Sequence, residues 1–270
     1  MNLITNGCSF TAGVPIDPKG PYIESDLNLF DYHNYNLTVS HAWPYQIDDV
    51  TPYNLSLGGA GNQRILRTTI SFLDSVPQQF IDDSVFVIQW STTPRKEYWY
   101  NELPYDVDEA GAHLIPPFRN DQKHSHSFDH HNTVDKATTE AAFNHKYVCG
   151  SLALDLYESL IAISTLTHAL KHYNAKFLYS ALQWNNLCIK SDLIGCNEKL
   201  TPIPDDFSLN GYHRALLNLL PWDNMIESVN EHLKSDLAYY LPDDGHPNPQ
   251  GNKLFANYVK QEMEKRNWLT

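Results

Sequence analysis

The chain has 270 residues, of which 42% are hydrophobic and 12% aromatic, and this composition favours a folded globular protein over a disordered one. Its formal charge of -13, from 19 basic and 32 acidic residues, would repel a nucleic-acid backbone, and no cluster of Lys or Arg offsets it. No segment resembles a bilayer-spanning run or a signal peptide, so a cytoplasmic protein without a membrane span is expected.

The first predicted strand is Leu3–Asn6, a short apolar segment that ends at Gly7. Ser9 would lie just past this strand. Residues 14–45 are rich in Pro, Asn, Asp and Tyr and predict a long loop, with a helix entered near residues 41–44.

A second strand is predicted over Tyr53–Leu57, where polar and apolar residues alternate before the glycine-rich turn at 58–62. A helix over Gln63–Asp74 follows, because its apolar residues recur at helical spacing. Ser84–Trp90 is the clearest buried strand, since its continuous β-branched and aromatic run is typical of parallel sheets. Residues 94–149 lack periodicity and predict an inserted loop or cap.

The second half of the chain predicts a helix over 152–173, a strand over 175–182 and a helix over 221–238. A last helix over 249–266 is marked by Asn248 as N-cap and by Pro249 in its first turn. Strands that alternate with helices predict an α/β domain with a parallel sheet covered on both faces, which we expect to comprise the whole chain, residues 1–270.

The four cysteines form no C-x-x-C pair and do not look like a disulfide framework. Reduced thiols are therefore expected, although a bridge between Cys188 and Cys196 stays open as an alternative.

Two segments at opposite ends of the chain carry groups that suit nucleophilic catalysis. Ser9 lies in the segment 7–13, and Asp243 stands three residues before His246. A serine hydroxyl needs an imidazole base within hydrogen-bond reach and a third group that orients the imidazole. The alternative interpretations are that Ser9 is only a turn residue and that His246 only caps the start of the last helix.

These residues resemble the SGNH/GDSL family of esterases and lipases, whose first block is G-D-S-x-x-x-G and whose last is D-x-x-H. Gly7, Ser9 and Gly13 match the first block, and Asp243 and His246 match the last. The resemblance implies a three-layer flavodoxin-like fold with a central parallel sheet. It also implies that Ser9 attacks an ester carbonyl, that His246 is the general base and that Asp243 orients it, with Asp244 as the competing orienter.

The resemblance further implies an oxyanion hole made of the Ser9 amide, a glycine amide and an asparagine side chain. Gly59 is the expected glycine, but no Asn stands at the family's third block, where this chain reads Trp90-Ser91-Thr92. Such a donor is worth about 3 to 4 kcal/mol, so a substitute is expected. Asn62 is preferred, with Ser91 or Thr92 as alternatives; Asn62 could instead be a helix N-cap.

The carboxyl ends of parallel strands gather functional groups, so Trp90, Ser91 and Arg95 are candidate substrate-binding residues. For Trp90 a place in the core is the alternative interpretation. Aromatic residues of the 94–149 insertion would shape an acyl or sugar pocket.

Six of the 13 histidines lie in the insertion between residues 113 and 145 and are mixed with aspartates. Both are competent zinc ligands, but no familiar metalloenzyme spacing is found, and a solvated polar loop is the preferred interpretation. The six histidines are His113, His124, His126, His130, His131 and His145.

The sequence thus predicts a serine esterase acting on a small acyl ester or an O-acetylated carbohydrate through an acyl-Ser9 intermediate, without a metal or an organic cofactor. Three alternatives remain open. The chain could be an O-acyltransferase, a non-catalytic carbohydrate-binding or structural protein with the same scaffold, or a metal-dependent enzyme built on the histidine-rich loop.

Overall fold

The computed structural model describes residues 1–13, 22–24, 37–39, 41–56, 60–93, 95–100, 103–107, 114–115, 152–182, 184, 211–234, 236–240 and 246–269. In these ranges the strands are β1 Asn2–Asn6, β2 Tyr22–Glu24, β3 Leu37–Val39, β4 Thr51–Asn54, β5 Ser84–Trp90, β6 Lys96–Tyr100, β7 Leu103–Val107, β8 Leu114–Ile115 and β9 Lys176–Ala181. The α-helices are α1 Ser9–Ala12, α2 Asn62–Ser75, α3 Gln78–Asp82, α4 Leu152–His172, α5 Gly211–Leu217, α6 Val229–His232 and α7 Pro249–Lys265.

The central sheet consists of parallel strands in the order β4-β1-β5-β9. This order matches the first four positions of a flavodoxin-like sheet, in which the first strand lies inside and the second at the edge. Asn6, at the end of β1, pairs with Ile88 near the end of β5, so the carboxyl ends of both strands lie at the same edge. The predicted α/β fold with a parallel sheet flanked by helices is confirmed.

Alternate side chains of the central strands enter two separate cores, because successive residues of a strand face opposite sides. On one face, β-strand residues pack against α2 and α4 in a cluster that includes Ile4, Phe86, Ile88, Phe177, Tyr179, Ile65, Phe72, Leu160 and Ile163. On the other face, strand residues pack against α7 in a cluster that includes Leu3, Val85, Val87, Leu178, Trp43, Phe255, Ala256, Val259 and Met263. The sheet is therefore the middle of three layers.

Two antiparallel sheets are separate from the central sheet. Strands β2 and β3 pair with each other, and β6, β7 and β8 form a sheet in that order. The second of these sheets occupies the start of the segment predicted to be an insertion at 94–149, where no strands were expected.

The last helix begins where the sequence predicts. The side chain of Asn248 accepts a hydrogen bond from the Gly251 amide at 2.9 Å, and Pro249 follows at the first helical position. Asparagine caps and first-turn proline are both typical of helix starts, because each suits the amides that lack an intrahelical acceptor.

Several predicted elements differ from those observed. The second strand runs over Thr51–Asn54 and not Tyr53–Leu57, and the segment near residues 41–44 forms only a 3₁₀ helix, Trp43–Gln46. The helix predicted over 221–238 is wrong: the chain forms short 3₁₀ helices at Trp222–Asn224 and Leu237–Tyr239 with α6 between them. A capping box at Ser228 starts α6 and interrupts the apolar periodicity.

No helix in the described part of the chain is both long enough and apolar enough to cross a membrane.

Candidate active site

The side chains of Ser9 and His246 meet, although 237 positions separate them in the sequence. Ser9 Oγ lies 2.7 Å from His246 Nε2, and both residues are partly exposed. When the imidazole proton is on Nδ1, the serine hydroxyl donates to Nε2. This is the geometry in which an imidazole accepts the proton of an attacking serine.

Ser9 is the first residue of the short helix α1, which leaves directly from the end of β1. The carbonyl of Cys8 accepts from the amides of Thr11 and Ala12 at 3.0 Å each, and the Gly13 amide donates to the Ser9 carbonyl at 2.9 Å. Gly13 has φ 75°, in the left-handed region that favours glycine. Gly13 therefore ends the turn that presents Ser9.

Gly7 is needed for close packing beneath Ser9. A Cβ atom at this position would collide with Thr11 Oγ1 and would lie 3.0 Å from the Gln89 carbonyl oxygen. The absence of a side chain allows α1 to approach the end of β5.

His246 is held by the hydrogen bonds that anchor the start of α7. The Asn248 amide donates to the Tyr239 carbonyl at 2.8 Å, and the Asn248 side chain donates to the Ala238 carbonyl at 2.8 Å. The Asn252 side chain donates to the Pro247 carbonyl at 3.0 Å. The imidazole also contacts the Phe10 ring, with ring centroids 4.8 Å apart. Helix α1, which carries Ser9, thus supplies an apolar wall for the imidazole.

Thr11 lies two residues after Ser9, is fully buried and is hydrogen-bonded to two strands. Its hydroxyl donates to Gln89 Oε1 at the end of β5, and its carbonyl accepts from Asn54 Nδ2 at 2.9 Å. Asn54 Oδ1 in turn accepts from Thr5 Oγ1 and from the Ser56 amide, at 3.1 Å each. Helix α1 is therefore fixed to β1, β4 and β5 by buried polar groups.

Asn6 fixes the end of β1 to helix α2. Its side-chain nitrogen donates to Thr68 Oγ1 at 2.7 Å and lies 2.8 Å from Thr69 Oγ1. Its side-chain oxygen accepts from the backbone amide of Gly7 at 2.8 Å. The turn before Ser9 is consequently held on its α2 side as well.

Asn62, the predicted oxyanion donor, is buried, and its side chain forms hydrogen bonds with other groups of the protein. Its nitrogen donates to the Ser91 carbonyl at 3.3 Å and to Ser159 Oγ at 3.0 Å, while its oxygen accepts from the Ser91 amide at 2.8 Å. Asn62 therefore connects α2, α4 and the segment after β5. Its role as an oxyanion donor stays a prediction and would require one of these bonds to be exchanged.

The other candidates after β5 differ in accessibility. Trp90 has no exposed surface, and its ring packs edge to face on Tyr179 with centroids 5.5 Å apart. A substrate contact at Trp90 would require the ring to move. Ser91 and Thr92 are buried, whereas Arg95 is partly exposed and donates from Nη1 to Ser91 Oγ at 3.1 Å. Arg95 is therefore the candidate of this group that solvent reaches most readily.

Asp243, Asp244 and Gly59 lie outside the described residues, so the predicted orienter and the predicted glycine donor remain predictions. All six histidines of the 113–145 segment lie outside them too. Within the described ranges, no group of three or more His, Cys, Asp or Glu side chains is placed to hold a metal ion.

Sequence reasoning missed the polar residues that support Ser9, namely Thr11, Gln89 and Asn54. One signal was available: Gln89 is a polar residue near the end of an otherwise apolar, fully buried strand. Buried polar side chains require hydrogen-bond partners, so a polar residue in such a strand indicates a specific contact.

No family model matches the chain, and no curated protein matches it significantly. Among solved structures, the chain is similar to the psychrotrophic esterase EstA from Pseudoalteromonas sp., in a structure inhibited by monoethylphosphonate. The TM-score is 0.42 with 11% sequence identity, and the alignment covers 98% of each chain. At this distance the similarity carries no argument about function.

Proposed function

We propose that this chain is a serine esterase that cleaves carboxylic ester bonds through an acyl-Ser9 intermediate. The observation that supports this proposal is the 2.7 Å contact between Ser9 Oγ and His246 Nε2. Both side chains are partly exposed, so a substrate carbonyl could approach the hydroxyl. The many buried hydrogen bonds beneath Ser9 support the same idea, because reactive groups require fixed geometry.

In the proposed first step, Ser9 Oγ forms a bond to the ester carbonyl carbon while its proton passes to His246 Nε2. The tetrahedral intermediate then collapses with cleavage of the bond to the alcohol oxygen, which takes the proton from the imidazolium. In the second step, water loses a proton to Nε2 and attacks the acyl carbon. The bond between this carbon and Ser9 Oγ then breaks, the imidazolium returns the proton to Oγ, and the carboxylic acid is released. Asp243 is the proposed group that orients the imidazole throughout.

The negative oxygen of the intermediate needs hydrogen-bond donors. The Ser9 amide at the start of α1, the Gly59 amide and the Asn62 side chain are the proposed donors. For the substrate we propose a small acyl ester or an O-acetylated carbohydrate, with Arg95 as a contact for its polar part.

The proposal is tested by comparing Ser9→Ala with Ser75→Ala, a matched control at the end of α2. Ser75 Oγ donates to the Phe72 carbonyl at 2.8 Å and lies outside the proposed machinery. Ser9→Ala should lower p-nitrophenyl acetate turnover on the order of 10³-fold or more with little change in melting temperature, whereas Ser75→Ala should keep the wild-type rate. A fluorophosphonate probe should modify Ser9, as located by peptide mass spectrometry.

Turnover by folded Ser9→Ala at the wild-type rate would reject the nucleophile assignment. A second candidate function, a non-catalytic protein on this scaffold, is favoured by one observation: the Asn62 amide is already engaged with Ser91 and Ser159. Failure of the probe to label Ser9 in the folded wild-type protein would support that alternative.

A further inference from the structure

Helix α1 presents Ser9 but is too short to hold its own orientation. It has four residues, and isolated helices of this length are not stable in water. The direction of the Ser9 side chain must therefore be set by contacts between α1 and the rest of the protein.

Thr11 provides such contacts through buried polar atoms. Its hydroxyl donates to Gln89 Oε1, and its carbonyl accepts from Asn54 Nδ2 at 2.9 Å. Thr11, Gln89 and Asn54 all have zero exposure, so water is not positioned to replace these bonds. Gly7 leaves the space in which the Thr11 hydroxyl lies, since a Cβ there would collide with it.

From this arrangement we infer that Thr11 is a positioning residue for the proposed esterase site. Through its bond to Gln89 it fixes α1 against the end of β5 and thereby sets the approach of Ser9 Oγ to His246 Nε2. Thr11 touches neither the substrate nor the reacting atoms in this scheme; it acts through the geometry of Ser9. The expected effect of Thr11 on catalysis rests on the proposed function. Its expected effect on the contact between Ser9 and His246 does not.

The test replaces Thr11 by Val, which keeps the branched shape and removes the hydroxyl, and by Ser, which keeps the hydroxyl. The matched control is Thr167→Val in α4, because Thr167 is also a buried threonine whose hydroxyl donates, at 2.7 Å to the Ile163 carbonyl. The contact is followed without any substrate through the imidazole ¹⁵N and ¹H resonances of His246, assigned with His246→Gln. Ser9→Ala supplies the reference spectrum in which the hydrogen bond to His246 is absent.

We expect Thr11→Val to move the His246 resonances toward those of Ser9→Ala, while Thr11→Ser and Thr167→Val leave them near the wild-type position. In the esterase assay, Thr11→Val should lower kcat about 10- to 100-fold with little change in KM, because a displacement of about 1 Å at a reacting group costs this much. If Thr11→Val does not fold, Gln89→Met removes the acceptor of the same bond and should give the same shift.

Wild-type His246 resonances in folded Thr11→Val, or in Gln89→Met, would overturn the inference whether or not the chain is an esterase. Conversely, an unreactive Ser9 in the wild-type protein would defeat the proposed function, and the spectra would still decide whether Thr11 positions Ser9. The two failures are therefore distinguishable.

Discussion

Replacing Gly7 by alanine tests the close packing beneath Ser9. The new Cβ would collide with Thr11 Oγ1 and would lie 3.0 Å from both Thr11 Cβ and the Gln89 carbonyl oxygen. Overpacking of this kind typically costs about 1 to 3 kcal/mol. For a chain of this size each kcal/mol lowers the melting temperature by about 2 to 4 °C, so a decrease of about 2 to 12 °C is expected.

A double-mutant cycle with Thr11→Ala identifies the origin of this cost. Thr11→Ala alone should cost about 1 to 3 kcal/mol, because Gln89 Oε1 loses its donor in a buried site. It also removes Thr11 Oγ1, the nearest atom to the new methyl group. The double variant should therefore be more stable than the sum of the single changes predicts, by about 0.5 kcal/mol or more.

The free energies of unfolding are measured by urea titration with tryptophan fluorescence, which the six tryptophans of the chain make convenient. If Gly7→Ala left the melting temperature unchanged, or if the two substitutions were additive within about 0.3 kcal/mol, the proposed packing of Gly7 on Thr11 would be refuted.

Two further predictions concern the layers around the sheet. Leu160 in α4 has zero exposure, and Leu160→Ala should lower the free energy of unfolding, measured by urea titration, by about 2 to 5 kcal/mol. Leu219 is 53% exposed, and Leu219→Ala should change this free energy by less than about 0.5 kcal/mol. Equal effects would contradict the assignment of the core. At the end of α7, burial would raise the pKa of Glu262, but hydrogen bonds from Lys265 and Arg266 outweigh it and lower this pKa below its ordinary value of 4.5. Because the pKa of Glu262 is lower in the folded protein than in the unfolded one, the hydrogen bonds to its carboxylate stabilise the fold above pH 4.5. This contribution is lost as the pH falls through the lowered pKa, so Glu262→Gln should destabilise the protein near neutral pH but not in strong acid. The exposed Glu264→Gln is the control, and a pH-independent difference between Glu262→Gln and wild type would contradict this account.

The sequence predicted those parts of the fold that local patterns determine. The strand Ser84–Trp90 was predicted with its observed bounds, because a continuous buried run between turn residues has few alternatives. The start of α7 was predicted for a similar reason, since Asn248 and Pro249 act through adjacent backbone groups. The sequence also singled out Ser9 and His246, whose side chains lie in contact, while their catalytic roles stay predictions.

Other features depended on tertiary contacts that a single sequence does not contain. The helix predicted over 221–238 has helical apolar spacing, but the buried Met225 and Ile226 lie in a non-helical segment before Ser228, whose capping box starts α6 only at Val229. The Asn62 side chain was predicted to be an oxyanion donor because it stands three residues past Gly59, yet its hydrogen-bond partners are 29 and 97 positions away. Long-range partners of this kind become visible only in the folded structure.

The 237-position separation between Ser9 and His246 has a consequence for synthesis of the protein. The serine enters the growing chain 237 residues before the imidazole that contacts it, which arrives with the segment that leads into α7. Until that helix docks on the sheet, the Ser9 hydroxyl of a nascent chain lacks its contact with His246. Any ester-cleaving capacity of the proposed site would therefore be acquired only after all four strands of the central sheet have been synthesised.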